Sequence, residues 1–184
     1  MSSLVISGDT SGTVTVTVPA VAGTNTVTIP AATGTVMVSG NMPAFSAYQS
    51  VQQTSIGSGV STKITFTTKE FDTNSNFASS TFTPTVAGYY QINAGLQIPY
   101  GLSTATLTIS IYKNGSSYKF GNTSTGNNVA GGISADATVS SLVYCNGSTD
   151  YLEIYVYGSN NGSAYNTQTG IDRTYFNGVL VRTA

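Results

Sequence analysis

Seven carboxylates (Asp9, Glu70, Asp72, Asp136, Asp150, Glu153 and Asp172), one thiol (Cys145) and twelve tyrosines are the side chains of this 184-residue chain best suited to chemistry. A carboxylate pair could cleave a glycosidic bond, but nothing in the spacing of the seven selects two of them. Glu70 and Asp72 could offer hard oxygen ligands to Ca²⁺, yet the repeated acidic positions of a cation loop are missing. His is absent and Cys occurs once, which removes imidazole triads, the usual zinc sites and a disulfide within the chain. Cys145 ends the run Val139 to Cys145 just before an Asn-Gly pair, the setting of a buried structural thiol. Gly57-Ser58-Gly59 and Gly131-Gly132 lack the strand, helix and Lys of a phosphate loop. No catalytic residue, metal site or cofactor is expected, and the chain reads as a non-enzyme.

Composition narrows the partners. Only 7% of residues are charged, against about 25% in an ordinary soluble domain. A net charge of −1 leaves no basic stripe for a run of phosphates, so nucleic acid is not an expected partner. With 40% hydrophobic and 10% aromatic residues, the chain should bury a core and not stay disordered. It has neither a long apolar run nor a basic, apolar leader, so membrane insertion and export are not expected. The charges are also unevenly placed. No charged side chain occurs from Thr10 to Thr62, and every charge but Asp9 lies at or after Lys63.

The elements that must position these residues fall into three segments. Residues 1–40 hold no aromatic and contain a repeat, Val16-Thr17-Val18-Pro19-Ala20-Val21-Ala22-Gly23-Thr24 matching Val27-Thr28-Ile29-Pro30-Ala31-Ala32-Thr33-Gly34-Thr35. Each unit reads as a Thr/Val strand stopped by Pro and followed by a Gly turn. Such a unit cannot bury an apolar face alone, so residues 1–40 are expected to form a β stalk packing side by side with other chains. Its anchoring candidates are Val16, Val18, Pro19, Val27, Ile29 and Pro30. Residues 41–61 read as a linker with one strand around Phe45 to Val51.

Residues 62–184 read as an all-β head. Ile64-Thr65-Phe66-Thr67 alternates, Tyr90, Ile92, Ala94, Leu96 and Ile98 share one strand face, and Leu107/Ile109/Ile111 and Leu152/Ile154/Val156 do the same. This alternation marks half-buried antiparallel strands. Asn114-Gly115, Asn146-Gly147 and Asn161-Gly162 supply tight turns, while Asn177-Gly178 lies in an apolar run and reads as a turn or a bulge. The polar segments Ser116 to Gly132 and Ser159 to Thr169 read as loops. An antiparallel jelly-roll sandwich of roughly eight to ten strands fits this size.

The spacing Phe66, Asp72, Phe77, Phe82, Gly88, Tyr90 resembles the signature of the globular head of complement subcomponent q, a jelly roll shared with the tumour necrosis factor superfamily. Asn146-Gly147-Ser148-Thr149-Asp150-Tyr151-Leu152-Glu153-Ile154 is similar to that family's penultimate hairpin, and Tyr175-Phe176-Asn177-Gly178-Val179-Leu180 to its closing strand. The Thr-Val-Thr-Val/Ile-Pro-Ala unit resembles segments of bacteriophage fibre and virion proteins. Both resemblances imply a homotrimer. Tyr90, Tyr151, Tyr155, Tyr157 and Tyr175 are the candidate trimer-interface residues, since Tyr offers a large apolar surface with a polar tip; a solvent-facing aromatic ladder within one sheet is the alternative for the strand Tyr151 to Tyr157.

The function expected from this reading is a trimeric capsid decoration or short head-fibre protein on a bacteriophage virion surface, bound to capsid or other virion proteins. The chain starts at the repeat, with no long shaft before it, which favours decoration. The alternative is a tail-fibre or spike tip whose loops recognise a host surface glycan.

Overall fold

The computed structural model describes residues 3–21, 23–28, 31, 33, 34, 36–98, 104–127 and 134–184. It divides into two compact units, Met1–Gly34 and Thr35–Ala184.

In the first unit, β1 (Ser3–Ser7) and β2 (Thr13–Thr17) form an antiparallel hairpin. The register pairs Leu4 with Val16 and Ile6 with Val14. Because strand side chains alternate, these four share one face, and Val5 sits with hydroxyl residues on the other. Gly12, at φ 80°, turns the chain back, and the Gly8 N–H donates to its carbonyl at 2.9 Å. Among the described residues, only the first repeat unit contributes to a strand. Val27 and Thr28 lie outside any strand, and Ile29 and Pro30 fall outside the described residues.

The second unit is a two-sheet antiparallel sandwich, as expected. Its strands are β3 (Ala44–Tyr48), β4 (Thr62–Lys63), β5 (Thr68–Asp72), β6 (Phe77–Ala78), β7 (Thr81–Phe82), β8 (Gly88–Ile98), β9 (Thr104–Lys113), β10 (Ser116–Asn127), β11 (Ala135–Cys145), β12 (Leu152–Ser159) and β13 (Tyr175–Thr183). One sheet runs β11-β8-β13-β3-β5; the other runs β10-β9-β12-β7-β6, with β4 also pairing β12. The inward faces are those the alternation marks: Ile92, Ile109, Ile111, Leu152, Ile154 and Val156 are fully buried. Phe45 stacks on Phe77 and Phe82 with ring centroids 4.9 and 4.3 Å apart, and Phe176 meets it edge-on.

Three segments differ from expectation. Residues 41–61 are part of the sandwich and not a linker: β3 lies between β13 and β5, and Phe45, Ala47 and Ile56 are core residues. Ser116–Asn127 is a strand paired with β9 and not a loop. Its polar residues mask it because both of its faces are largely exposed, so no apolar alternation is needed. Beyond Lys63, Ile64 and Phe66 are buried as the alternation requires, but side chains replace part of a ladder. The Phe66 N–H donates to Ser80 Oγ, the Thr65 N–H to Gln53 Oε1, and Gln49 Nε2 to the Thr65 carbonyl.

Candidate functional site

The outward face of the six-stranded sheet combines side-chain contacts with exposed rings, Phe120 and Tyr157 among them. Tyr112 of β9 and Tyr155 of β12 stack at 3.9 Å with ring planes 18° apart. Burial, followed by the neighbouring Glu153, Tyr112 and Tyr151, raises the Tyr155 phenol above its ordinary value. Beside them, Lys63 Nζ donates to Glu153 Oε1 and Thr81 Oγ1, each at 2.7 Å. At the end of β9, Asp150 accepts from Asn114 Nδ2, the Asn146 N–H and Lys113 Nζ. The Lys113 Nζ also donates to the Tyr144 carbonyl.

The outward face of the five-stranded sheet is organised in bands that register makes visible. At the end carrying Gly88, Tyr89 pairs with Tyr144 and Arg182. The next row sets Gln91 between Leu142 and Val179, with Ala44 beyond. Tyr89, Tyr144, Leu142, Val179 and Val181 are 40–58% exposed, an uncovered apolar band in which the Tyr89 and Tyr144 rings touch. The middle row is an amide ladder. Asn93 Nδ2 donates to Asn177 Oδ1, Ser140 Oγ donates to Asn93 Oδ1, and Gln91 Nε2 donates to Ser140 Oγ. The far rows place Thr138, Gly95, Tyr175 and Tyr48 side by side, then Asp136 beside Gln97.

The candidate interface tyrosines therefore do not form one surface. Tyr90 is a core residue: its ring is fully buried against Phe82, and its hydroxyl donates to the Val86 carbonyl at 2.6 Å. Burial, with Cys145 nearby, pushes its phenol well above the usual value. It has no surface to give a second chain. Its neighbour Tyr89 is the outward residue, one position and one face away. Tyr151, Tyr155 and Tyr157 belong to the six-stranded side and Tyr175 to the five-stranded face. Of the anchoring candidates, Val16 lies on the apolar hairpin face, while Val18, Pro19 and Val27 are exposed beyond the strands.

The carboxylates are mostly engaged internally. Asp72 accepts the backbone N–H groups of Asn76 and Phe77 and is 3.3 Å from Lys69, and Glu70 accepts from Ser46 Oγ. Cys145 is a free thiol in the core, where burial pushes it up to about 11; Lys113 pulls its value down and Asp150 pushes it up. Asn177-Gly178 is neither a turn nor a bulge. The ladder runs through both residues, and the irregularity falls between Leu180 and Arg182.

No protein-family model and no curated protein matches this sequence. Solved structures do match in fold. A crystal structure of murine APRIL at pH 5.0 superposes with a TM-score of 0.54 at 7% identity, covering 76% of this chain and 99% of that one. The structure of Eiger TNF from S. frugiperda superposes at 0.51 and 6% identity, covering 78% and 93%. The fold is an antiparallel jelly roll of the tumour necrosis factor type.

Proposed function

We propose that this chain is a non-enzymatic structural protein of a bacteriophage virion surface, a trimeric capsid decoration or short head-fibre protein held to the particle by its amino-terminal region. The observation that carries this reading is the hairpin β1–β2. Leu4, Ile6, Val14 and Val16 form one of its faces and are each more than half exposed. An isolated two-stranded hairpin is marginal in water, so an assembly that covers this face is what gives it stability. Thr10 to Thr62 has no charged side chain, so adhesion rests on apolar and hydroxyl contact that salt screens little. Among the described residues no third strand pairs with the hairpin, which suits strand addition to a neighbouring sheet.

Trimer formation is part of the proposal, supported by the fold likeness and by the apolar band on the five-stranded sheet. Tyr89, Leu142, Tyr144, Val179 and Val181 form a face suited to a second copy of the chain, being apolar with tyrosines at its edge. Tyr175 lies on the same face.

Quantifying the protein on purified particles, and repeating this after deletion of residues 1–40, tests the reading. Many copies spread over the capsid, with the truncated head released in soluble form, are expected. A handful of copies confined to the tail, or a truncated head retained at full occupancy, overturns it.

A further inference from the structure

We propose that the polar row across the middle of the five-stranded sheet sets the register between copies of this chain. The side-chain amides of Asn93 and Asn177 hydrogen-bond to the same row of a neighbouring copy, and so select one trimer from the arrangements that the apolar band alone would permit. The inference rests on the trimer reading above and deepens it.

Strand register lays the row out. Ser140 of β11 stands opposite Asn93 of β8, Asn93 opposite Asn177 of β13, and Asn177 opposite Ser46 of β3. Asn93 Nδ2 donates to Asn177 Oδ1 at 3.1 Å and Ser140 Oγ donates to Asn93 Oδ1 at 2.8 Å. Ser46 Oγ donates in turn to Glu70 Oε2 of β5 at 2.7 Å. Polar side chains of one row therefore reach across all five strands. Towards Gly88 the next row is Leu142, Gln91, Val179 and Ala44; on the other side it is Thr138, Gly95, Tyr175 and Tyr48.

Two features separate this row from an ordinary wet surface. Asn is disfavoured within strands, yet two of them stand paired at the centre of the face. On the outward face of the other sheet, the cross-strand polar pair is Thr108 with Thr123, joined hydroxyl to hydroxyl at 2.8 Å, a residue type that suits a strand facing water. The amides also hold capacity that the ladder does not use, since each can donate two hydrogen bonds and accept two. Asn93 and Asn177 are half-buried in the single chain, where water serves the remaining groups. Once a copy covers the face, each of those groups needs a protein partner, because an unmade bond in a dry contact costs more than the net gain of a made one.

That requirement identifies the occupant as a second copy. The row carries donors and acceptors together, and its one charge, Glu70, is held by Ser46, so the row is complementary to itself. An apolar partner would leave its amides unpaired. A copy displaced by one row along the strands would set the amides against Leu142 and Val179 or against Tyr175, a shift that non-directional apolar contact alone tolerates. In coiled coils a buried Asn fixes register and oligomer state in the same way.

Native mass spectrometry and light scattering of the full chain test the proposal. Asn93→Val combined with Asn177→Val removes both partners of one bond and leaves neither orphaned. The melting temperature is expected to hold or rise, while a single trimer gives way to a mixture of dimer, trimer and larger species. The same exchange on the other sheet, Thr108→Val with Thr123→Val, should leave one uniform trimer. A second readout uses the parent row intact: the side-chain amide hydrogens of Asn93 and Asn177 should exchange with solvent at least about tenfold more slowly in the trimer than in the chain made monomeric by Leu142→Asp. A trimeric parent whose valine variant stays one uniform trimer, or whose side-chain amides exchange as fast as in the monomer, overturns this inference and leaves the trimer standing. A monomeric parent overturns both.

Discussion

Lys113 Nζ lies 2.8 Å from Oδ2 of Asp150, and this pair ties the end of β9 to the turn that opens β12. The same carboxylate accepts from Asn114 Nδ2 and from the Asn146 N–H, so one side chain holds two Asn-Gly turns. These hydrogen bonds, led by Asn114 and then Lys113, keep its pKa below the ordinary carboxylate value. A carboxyl lowered in the folded state stabilises it above the unfolded value of about 3.9, and that contribution is lost as pH falls through the folded value. Asp150→Ala should cost about 1–3 kcal/mol at pH 7. In urea titrations from pH 6 to the acid limit, the variant should lose part of the acid-dependent fall of the parent chain; an unchanged acid slope would remove Asp150 from that account.

Gly178 tests packing. A Cβ there would stand 2.7 Å from Ile92 Cδ1 and 2.8 Å from Phe45 Cε1, so the glycine is where two core side chains close over β13. Gly178→Ala should destabilise by about 1–3 kcal/mol through overpacking. Pairing it with Ile92→Val, which withdraws the nearer carbon, should recover part of that loss in a double-mutant cycle.

Cys145 should be chemically silent in the folded chain. With its thiol pushed up to about 11 and its side chain fully buried, only about one in a thousand would be thiolate at pH 8. Alkylation by iodoacetamide should therefore track unfolding, and the native chain should remain unlabelled over a period in which the denatured chain reacts fully.

Strands that bury one face, such as β8, β9 and β12, are written in the sequence as alternation, and the Asn114-Gly115 turn as its residue types. What lay beyond sequence reading has physical reasons. β10 exposes both faces, and so carries no pattern. Residues 49–53 look like polar linker, yet Gln49 is fully buried and hydrogen-bonds to Thr167 and to the Thr65 carbonyl, partners distant in the chain. The apolar band is hidden for a similar reason. Tyr89, Leu142 and Val181 come from three strands, and nothing in their local spacing announces that register sets them together. Tyr90 is fully buried while Tyr89, one position along, is exposed, because in a strand one position is a whole face.

The two sheet faces make opposed predictions for assembly. Leu142→Asp places a charge in the apolar band and should shift the mass in solution from trimer to monomer, as read by light scattering. Tyr155→Ser should leave the mass unchanged and lose only its stack on Tyr112, worth about 0.5–1.5 kcal/mol beyond burial. The reverse pattern would move the subunit contact to the six-stranded side.

The hairpin β1–β2 separates attachment by surface area from attachment by charge. Leu4, Ile6, Val14 and Val16 share one face, while Thr13, Thr15 and Thr17 point to the other. If apolar contact holds the protein to its particle, Val14→Lys must bury an unpaired ammonium or abandon the contact, and either outcome costs several kcal/mol. Thr15→Lys adds the same charge to the hydroxyl face. Particles carrying Val14→Lys should shed the protein on dilution, whereas those carrying Thr15→Lys should retain it, and raising the salt should change neither result appreciably. Equal loss from both variants, reversed by salt, would mean that the charge-free character of this segment, and not its apolar face, governs attachment.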